Sequence, residues 1–251
     1  LSDFTYPHFP TNEGYLTGKI RQDYIALAVA EGLLPVNAHR MADIVSLSAS
    51  NDGSKPIQFW QLYSVLGPER IVRIVTGFYE RVFDDDEWFT SVFARIGGVS
   101  HHVNTQSAMW VDAMGGGPAY HGGEFRLNFH HTHNAMPVMN EKGAERWVKL
   151  MVAALDASAH LMTGDERIRP SLNTFLAHFF DKYATDFSFP NTATFGETNP
   201  PVRRKVNFMN MTSDAIEALS EEELREGLIG RGVDVSDYRD KQQLVNKALS
   251  L

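Results

Sequence analysis

The sequence predicts an all-α fold. Apolar side chains recur at three-and-four spacing through most of the stretch from Phe59 to Phe180, and no segment alternates apolar and polar residues as a half-buried strand would. Glycine and proline breaks or capping residues separate the periodic runs. With 251 residues, the chain forms one large domain or one domain with appended modules.

Residues 1–18 carry scattered prolines, glycines and aromatics (Phe4, Tyr6, Phe9, Tyr15), the composition of an irregular arm. From Ile20 the positions Ile20, Tyr24, Leu27 and Ala28 are helical, and Gly32 with Pro35 ends that helix. A second helix is expected from a cap at Asn37 through Met41, Ile44, Val45 and Leu47. Ser50 to Pro56 is a loop by composition. Phe59, Tyr63 and Leu66 form one stripe, and Ile71, Ile74, Val75, Phe78, Tyr79 and Val82 another, with Leu66-Gly67-Pro68 as the break between them. Trp88 to Phe93 reads as a short aromatic turn, and His101 to Met114 as an amphipathic helix closed by Gly115-Gly116-Gly117-Pro118. Helices follow over about Asn140 to Met162 and from Asp165 through Phe180. The pattern is lost between Phe187 and Met211, where the basic run Arg203-Arg204-Lys205 lies. It returns with a cap at Thr212 or Ser213, a capping box at Ser220 and Glu223, and a last helix through Leu244, Val245 and Leu249. The organisation expected is therefore an N-terminal arm and helical pair (1–56), a helical domain (57–185), a linker (186–211) and a small helical module (212–251).

Composition removes several function classes. The net charge of −8 argues against general binding to a phosphate backbone, so no nucleic acid partner is expected. The apolar runs are too short for a membrane span, so the chain is not expected to be an integral membrane protein. The absence of cysteine excludes disulfides, iron–sulfur clusters and thiolate sites in this chain, leaving His, carboxylate, Met or Tyr for any metal. The chain begins at Leu1, as a fragment or a processed form would; import into a mitochondrion or plastid is one explanation, and a cytoplasmic location is otherwise expected.

Chemistry concentrates in Phe125 to Pro137, where His130, His131 and His133 lie within four residues. Neutral imidazoles are good ligands for a transition metal or haem iron. Such a run can equally be a polar helix end facing solvent.

Between Leu66 and Met151 the chain resembles the truncated haemoglobins, specifically their second group with its plant and algal members. The resemblance rests on Phe78-Tyr79-Glu-Arg-Val82, Asp85-Asp-Glu-Trp88-Phe-Thr-Ser-Val-Phe93, Met114-Gly-Gly-Gly-Pro-Ala-Tyr120, His133 four residues before Pro137, and Ala144-Glu-Arg-Trp147 running to Met151. It implies a two-over-two helical sandwich that holds haem b, with His133 as the iron ligand. His130 and His131 compete for that role, and His130 could instead contact a propionate. Arg126 is expected as a propionate partner, since guanidinium pairs well with carboxylate. Tyr79, His102, Gln106 and Trp147 are implied on the distal side, with Phe93 on the porphyrin face and Met109 lining the pocket. His102 departs from the small residue common at that place in the group, and could donate a hydrogen bond or coordinate iron.

The tail, Leu219 to Ser236 with Lys241-Gln-Gln-Leu-Val245, resembles SAP-like modules, which bind DNA; its nine acidic against five basic residues over 211–251 favour protein contact instead. The function expected is a haem-binding globin for O2, NO or CO, in storage, sensing or nitric-oxide chemistry. A nitric oxide dioxygenase-type activity would need an electron source, and the chain has no flavin or nicotinamide motif. The alternative is an accessory subunit of a larger, possibly organellar assembly whose terminal extensions contact protein partners.

Overall fold

The computed structural model describes residues 8–191, 194–199, 206, 208 and 211–251. The expected basic run Arg203–Lys205 and the arm residues Phe4 and Tyr6 lie outside them. The described residues are helical and form no β-strand, only an isolated bridge between Asn12 and Gly116. The chain divides into two compact units, Leu1–Glu31 with Val36–Pro201, and Gly32–Pro35 with Val202–Leu251.

In the first unit α1 (Thr17–Ala30) buries Ile20, Ile25 and Ala28. The next helix differs from expectation: a 3-10 turn (Ala38–Arg40) and a single α-turn, α2 (Ala42–Val45), replace one continuous helix. The cause is local, because Met41 between them is extended (φ −79°, ψ 117°) and the Asn37 side chain makes no capping bond.

Helix α3 (Leu62–Phe83) is the centre of the unit and packs against α4 (Glu87–Ala94), α5 (Val99–Ala113), α7 (Glu141–Ala157) and α8 (Ile168–Phe187). Its positions Ile71, Ile74, Val75, Phe78 and Val82 are fully buried, each contributing roughly 1.5–3 kcal/mol of hydrophobic stabilisation. The break read from Leu66-Gly67-Pro68 is a kink: Gly67 has φ 69° and ψ 173°, and Pro68 opens the second segment. A side chain at Gly67 would also come within 2.5 Å of the Phe9 ring, so the position needs glycine for both backbone and space.

The aromatic stretch expected as a turn is the two-turn helix α4, capped by the Asp86 carboxylate, which accepts from Phe89 N at 3.0 Å. The histidine run follows α6 (Gly123–Phe129) as a π-helical turn (His130–Asn134), closed by Ala135 N donating to His130 O at 2.9 Å. Asn140 caps α7, which ends at Ala157 rather than Met162 and passes into a 3-10 turn (Ala159–Leu161). The second unit contains α9 (Ser213–Glu217), α10 (Glu221–Ile229) and α11 (Lys241–Leu249) around Leu224, Leu228, Leu244 and Val245. The capping box at Ser220 and Glu223 is present, with both reciprocal bonds formed.

One buried carboxylate joins three segments of the first unit. Asp112, 0% exposed near the end of α5, accepts from Leu16 N at 2.8 Å, Tyr15 N at 3.2 Å and Tyr120 N at 3.1 Å. Thr17 Oγ1 donates to its backbone carbonyl. Asp112→Ala would leave three backbone N–H groups unpaired, and a loss of about 3 kcal/mol is expected in urea unfolding. Asp112→Asn, which keeps one acceptor oxygen, should lose less.

A half-buried histidine makes stability depend on pH. The His178 ring on α8 stacks on Phe59 (centroids 5.9 Å apart) and meets Tyr24 edge-on. Burial pushes its pKa below the usual histidine value, although Asp23 and Asp181 pull the other way. The unfolded chain therefore binds this proton more readily, and folding stability falls as pH drops below about 6.5. In urea titrations between pH 7 and pH 5, His178→Phe should flatten that decline.

Candidate functional site

A cavity of about 360 Å³ opens between α3, α4 and α5 on one side and α6, the π-turn, α7 and α8 on the other. Tyr79 reaches it from α3, Phe93 from α4, and His102, Gln106 and Met109 from α5, where the spacing of three and four residues puts them on one helix face. Arg126 and Leu127 of α6, His130 and His131 of the π-turn, and Trp147 of α7 line the other walls. The floor is aromatic, from Phe175, Phe179, Phe180 and Tyr183 of α8.

On the α3–α5 side Tyr79, His102 and Gln106 are largely committed to one another and to backbone. The Tyr79 hydroxyl donates to Gln106 Oε1 at 3.4 Å, a long bond that a better acceptor could replace. Burial raises the Tyr79 pKa well above the usual phenol value, so the hydroxyl keeps its proton. His102 stacks on Tyr79 with centroids 5.2 Å apart, and its Nε2 lies 2.9 Å from Phe93 O. A carbonyl can only accept, so that Nε2 carries a proton in this arrangement. Desolvation lowers the His102 pKa, and it stays neutral at neutral pH. Trp147 packs against Phe78 (4.7 Å) and Phe180 (4.9 Å), which fixes its ring at the cavity wall.

On the opposite side the three histidines separate. His130 is half-buried at the cavity, and among the described residues its ring makes no hydrogen bond. His131 also faces the cavity, with Nδ1 2.8 Å from Leu127 O and its ring 4.2 Å from that of Tyr183. Burial lowers its pKa to about 3 and that of His130 below the usual value, so both imidazoles are neutral. His133 is exposed, stacks on Phe129 (4.1 Å, 13° between planes), and is not part of the cavity wall. Arg126 lies at the rim with its guanidinium 4.7 Å from the centre of the Tyr120 ring.

The structure thus brings Tyr79, Phe93, His102, Gln106, Met109, Arg126, His130 and Trp147 together at one cavity and leaves His133 on the surface. Sequence reasoning did not anticipate Tyr120 or Tyr183 as lining residues. Tyr183 could have been found, because it lies four residues beyond Phe179 and extends the apolar stripe of α8.

A family profile described as bacterial-like globin matches residues 61–180 of the chain. The chain is 31% identical over 118 residues to two-on-two hemoglobin-3 of Arabidopsis thaliana, covering 47% of this chain and 65% of that protein. It is 33% identical over 118 residues to group 2 truncated hemoglobin 3-1 of Lotus japonicus, covering 47% and 67%. The chain thus spans about two thirds of the length of these curated relatives. The matched residues run from the turn before α3 into α8 and hold nearly all of the cavity wall.

Proposed function

The chain belongs to the bacterial-like globin family as a truncated globin of the plant two-on-two type, and from that premise we propose that it binds haem b and, with it, a diatomic gas such as O2, NO or CO. The observation that carries this reading is the convergence of the eight named residues on one aromatic-walled cavity. A flat macrocycle needs apolar faces above and below, which Phe93, Leu127 and the α8 aromatics provide. It also needs a neutral imidazole for its metal, and the run containing His130, His131 and His133 offers candidates. The exposed rim suits its carboxylates, and Arg126 is the cation there. Haem, when bound, supplies an iron that takes up the gas.

The protein's own contribution is to orient and shield. The Tyr79 hydroxyl, protonated and only loosely held by Gln106, can turn its hydrogen toward a partly negative atom in the cavity. Gln106 would then retain its carbonyl as an acceptor and its amide as a second donor. His102 is less available, since its Nε2 hydrogen is already given to Phe93 O. Trp147, Phe180 and Phe179 keep bulk water from the floor. Among the described residues no helix is long and apolar enough to cross a membrane.

A second reading concerns partners rather than gas. The tail has its own buried core around Leu224, Leu228, Leu244 and Val245, which favours a separate module for protein contact beside the globin.

The full chain, expressed with haem supply, should show a Soret band that shifts when reductant and carbon monoxide are added. Its absence would overturn the haem reading. In Tyr79→Phe, loss of one hydrogen bond to a charged acceptor, about 1.5–3 kcal/mol, should speed O2 dissociation roughly 10- to 100-fold in stopped-flow measurements.

A further inference from the structure

The globin profile stops at residue 180 and α8 ends at Phe187, yet the chain beyond them stays with the first unit. We propose that residues 194–199 form a strap whose one buried side chain, Phe195, holds Trp147 in place from outside the cavity. A segment beyond the globin match then sets part of the cavity wall. The consequence for gas release rests on the haem reading above; the consequence for Trp147 does not.

Three observations carry it. The first is burial. Phe195 is 4% exposed, whereas Thr194, Gly196, Glu197 and Thr198 around it are exposed. Two rings receive it: Phe195 meets Phe180 with centroids 5.1 Å apart and Trp147 at 6.1 Å, both edge-on. Trp147 and Phe180 are themselves 4.9 Å apart, and all three separations are those of aromatic contact. With Phe78 at 4.7 Å, Trp147 has one neighbouring ring on α3, one on α8 and one on the strap. Trp147 and Phe180 line the cavity and Phe195 does not, so Phe195 acts through them as a positioning residue.

The second observation is attachment. Asn173 Nδ2 on α8 donates to Glu197 O at 2.6 Å. Its Oδ1 accepts from Arg169 Nε at 3.0 Å, and Arg169 pairs with Asp156 at 2.9 Å, which fixes the amide's orientation. Asn199 N donates to Thr174 Oγ1 at 2.9 Å, and Asn199 Nδ2 to Ile57 O at 2.9 Å. Asn173 and Thr174 are buried, so these bonds form where water competes little.

The third observation is backbone. Gly196 has φ 112°, a conformation that side chains disfavour, and a Cβ there would lie 3.1 Å from Asn173 Nδ2. The turn that sends Phe195 inward and brings Glu197 O to Asn173 therefore needs glycine.

The test labels the four tryptophans of the full chain with 5-fluorotryptophan and reads them by 19F NMR, with Trp147 assigned through Trp147→Phe. In Phe195→Ala the Trp147 signal should move by more than its linewidth while those of Trp60, Trp88 and Trp110 stay. Phe195→Leu, which keeps apolar bulk, should return it most of the way. Asn173→Ala combined with Asn199→Ala alters no ring and no cavity residue, and it should move the Trp147 signal in the same direction. That pair decides the matter should Phe195→Ala fail to fold. A Trp147 signal unchanged in these variants, or all four signals shifting together, overturns the inference. In the haem-loaded chain Phe195→Ala should speed O2 dissociation roughly 2- to 10-fold, the worth of one aromatic contact. An unchanged rate overturns the link to gas release. A chain that takes up no haem sinks the haem reading alone, because the Trp147 signal is read without haem.

Discussion

The geometry of the first unit depends on the carboxylate of Asp112. Its two oxygens hold backbone N–H groups from Tyr15 and Leu16 of the arm and Tyr120 of the loop after α5. Burying a carboxyl group is costly unless its lone pairs are occupied, and here backbone donors occupy them. The consequence reaches the cavity. Tyr120 O accepts from Gly123 N at 3.1 Å, and Gly122 and Gly123, both with positive φ, turn the chain directly into α6. The anchor therefore sets where α6 begins, and the start of a helix sets which of its faces looks inward.

Stability and site share the same parts. The buried stripe of α3 that packs the domain includes Phe78 and Tyr79, so one helix turn supplies both a core ring and a cavity hydroxyl. Trp147 is used twice as well, packing on Phe78 and Phe180 while closing the cavity. Arg146 clamps Asp85 through two of its nitrogens and reaches Asp86, tying the turn between α3 and α4 to α7. The carboxylate is held below its usual pKa chiefly by that guanidinium hydrogen bond. Aromatic mass and one bidentate pair thus hold the helices that wall the cavity.

Much of this was legible in the sequence because it follows from periodicity. The helical stripes, the Gly67–Pro68 kink, the Asn140 position and the Ser220–Glu223 box each depend on residues close together in the chain. Most of the named cavity residues were legible for a different reason, since their order matched a known family. What escaped left no periodic pattern to read. Nothing within a few residues of Met41 announces its extended backbone, which splits the second expected helix. Asp112 left only a faint signal, a charge on the same face as Met109 and Ala113, both buried. Its partners are nearly a hundred residues away in the arm, beyond the reach of local pattern.

The histidine run shows the limit most sharply. In an α-helix each residue turns the side chain by about 100°, so a shift of one residue in the starting phase exchanges an inward side chain for an outward one. Spacing to Pro137 and Trp147 measures distance along the chain, and it is indifferent to that phase. A π-turn adds a residue to the count without adding a turn, so chain distance and facing direction part company where His130 to Asn134 lie. Direction is decided instead by the entry into α6, fixed by Asp112 and the two glycines, and by which apolar residues need burial. Leu127 is buried, Phe125 is 79% exposed, and His131, four residues after Leu127, faces the cavity. Any insertion or deletion between Tyr120 and Leu127 would rotate that choice, whereas one after Asn134 would leave it unchanged.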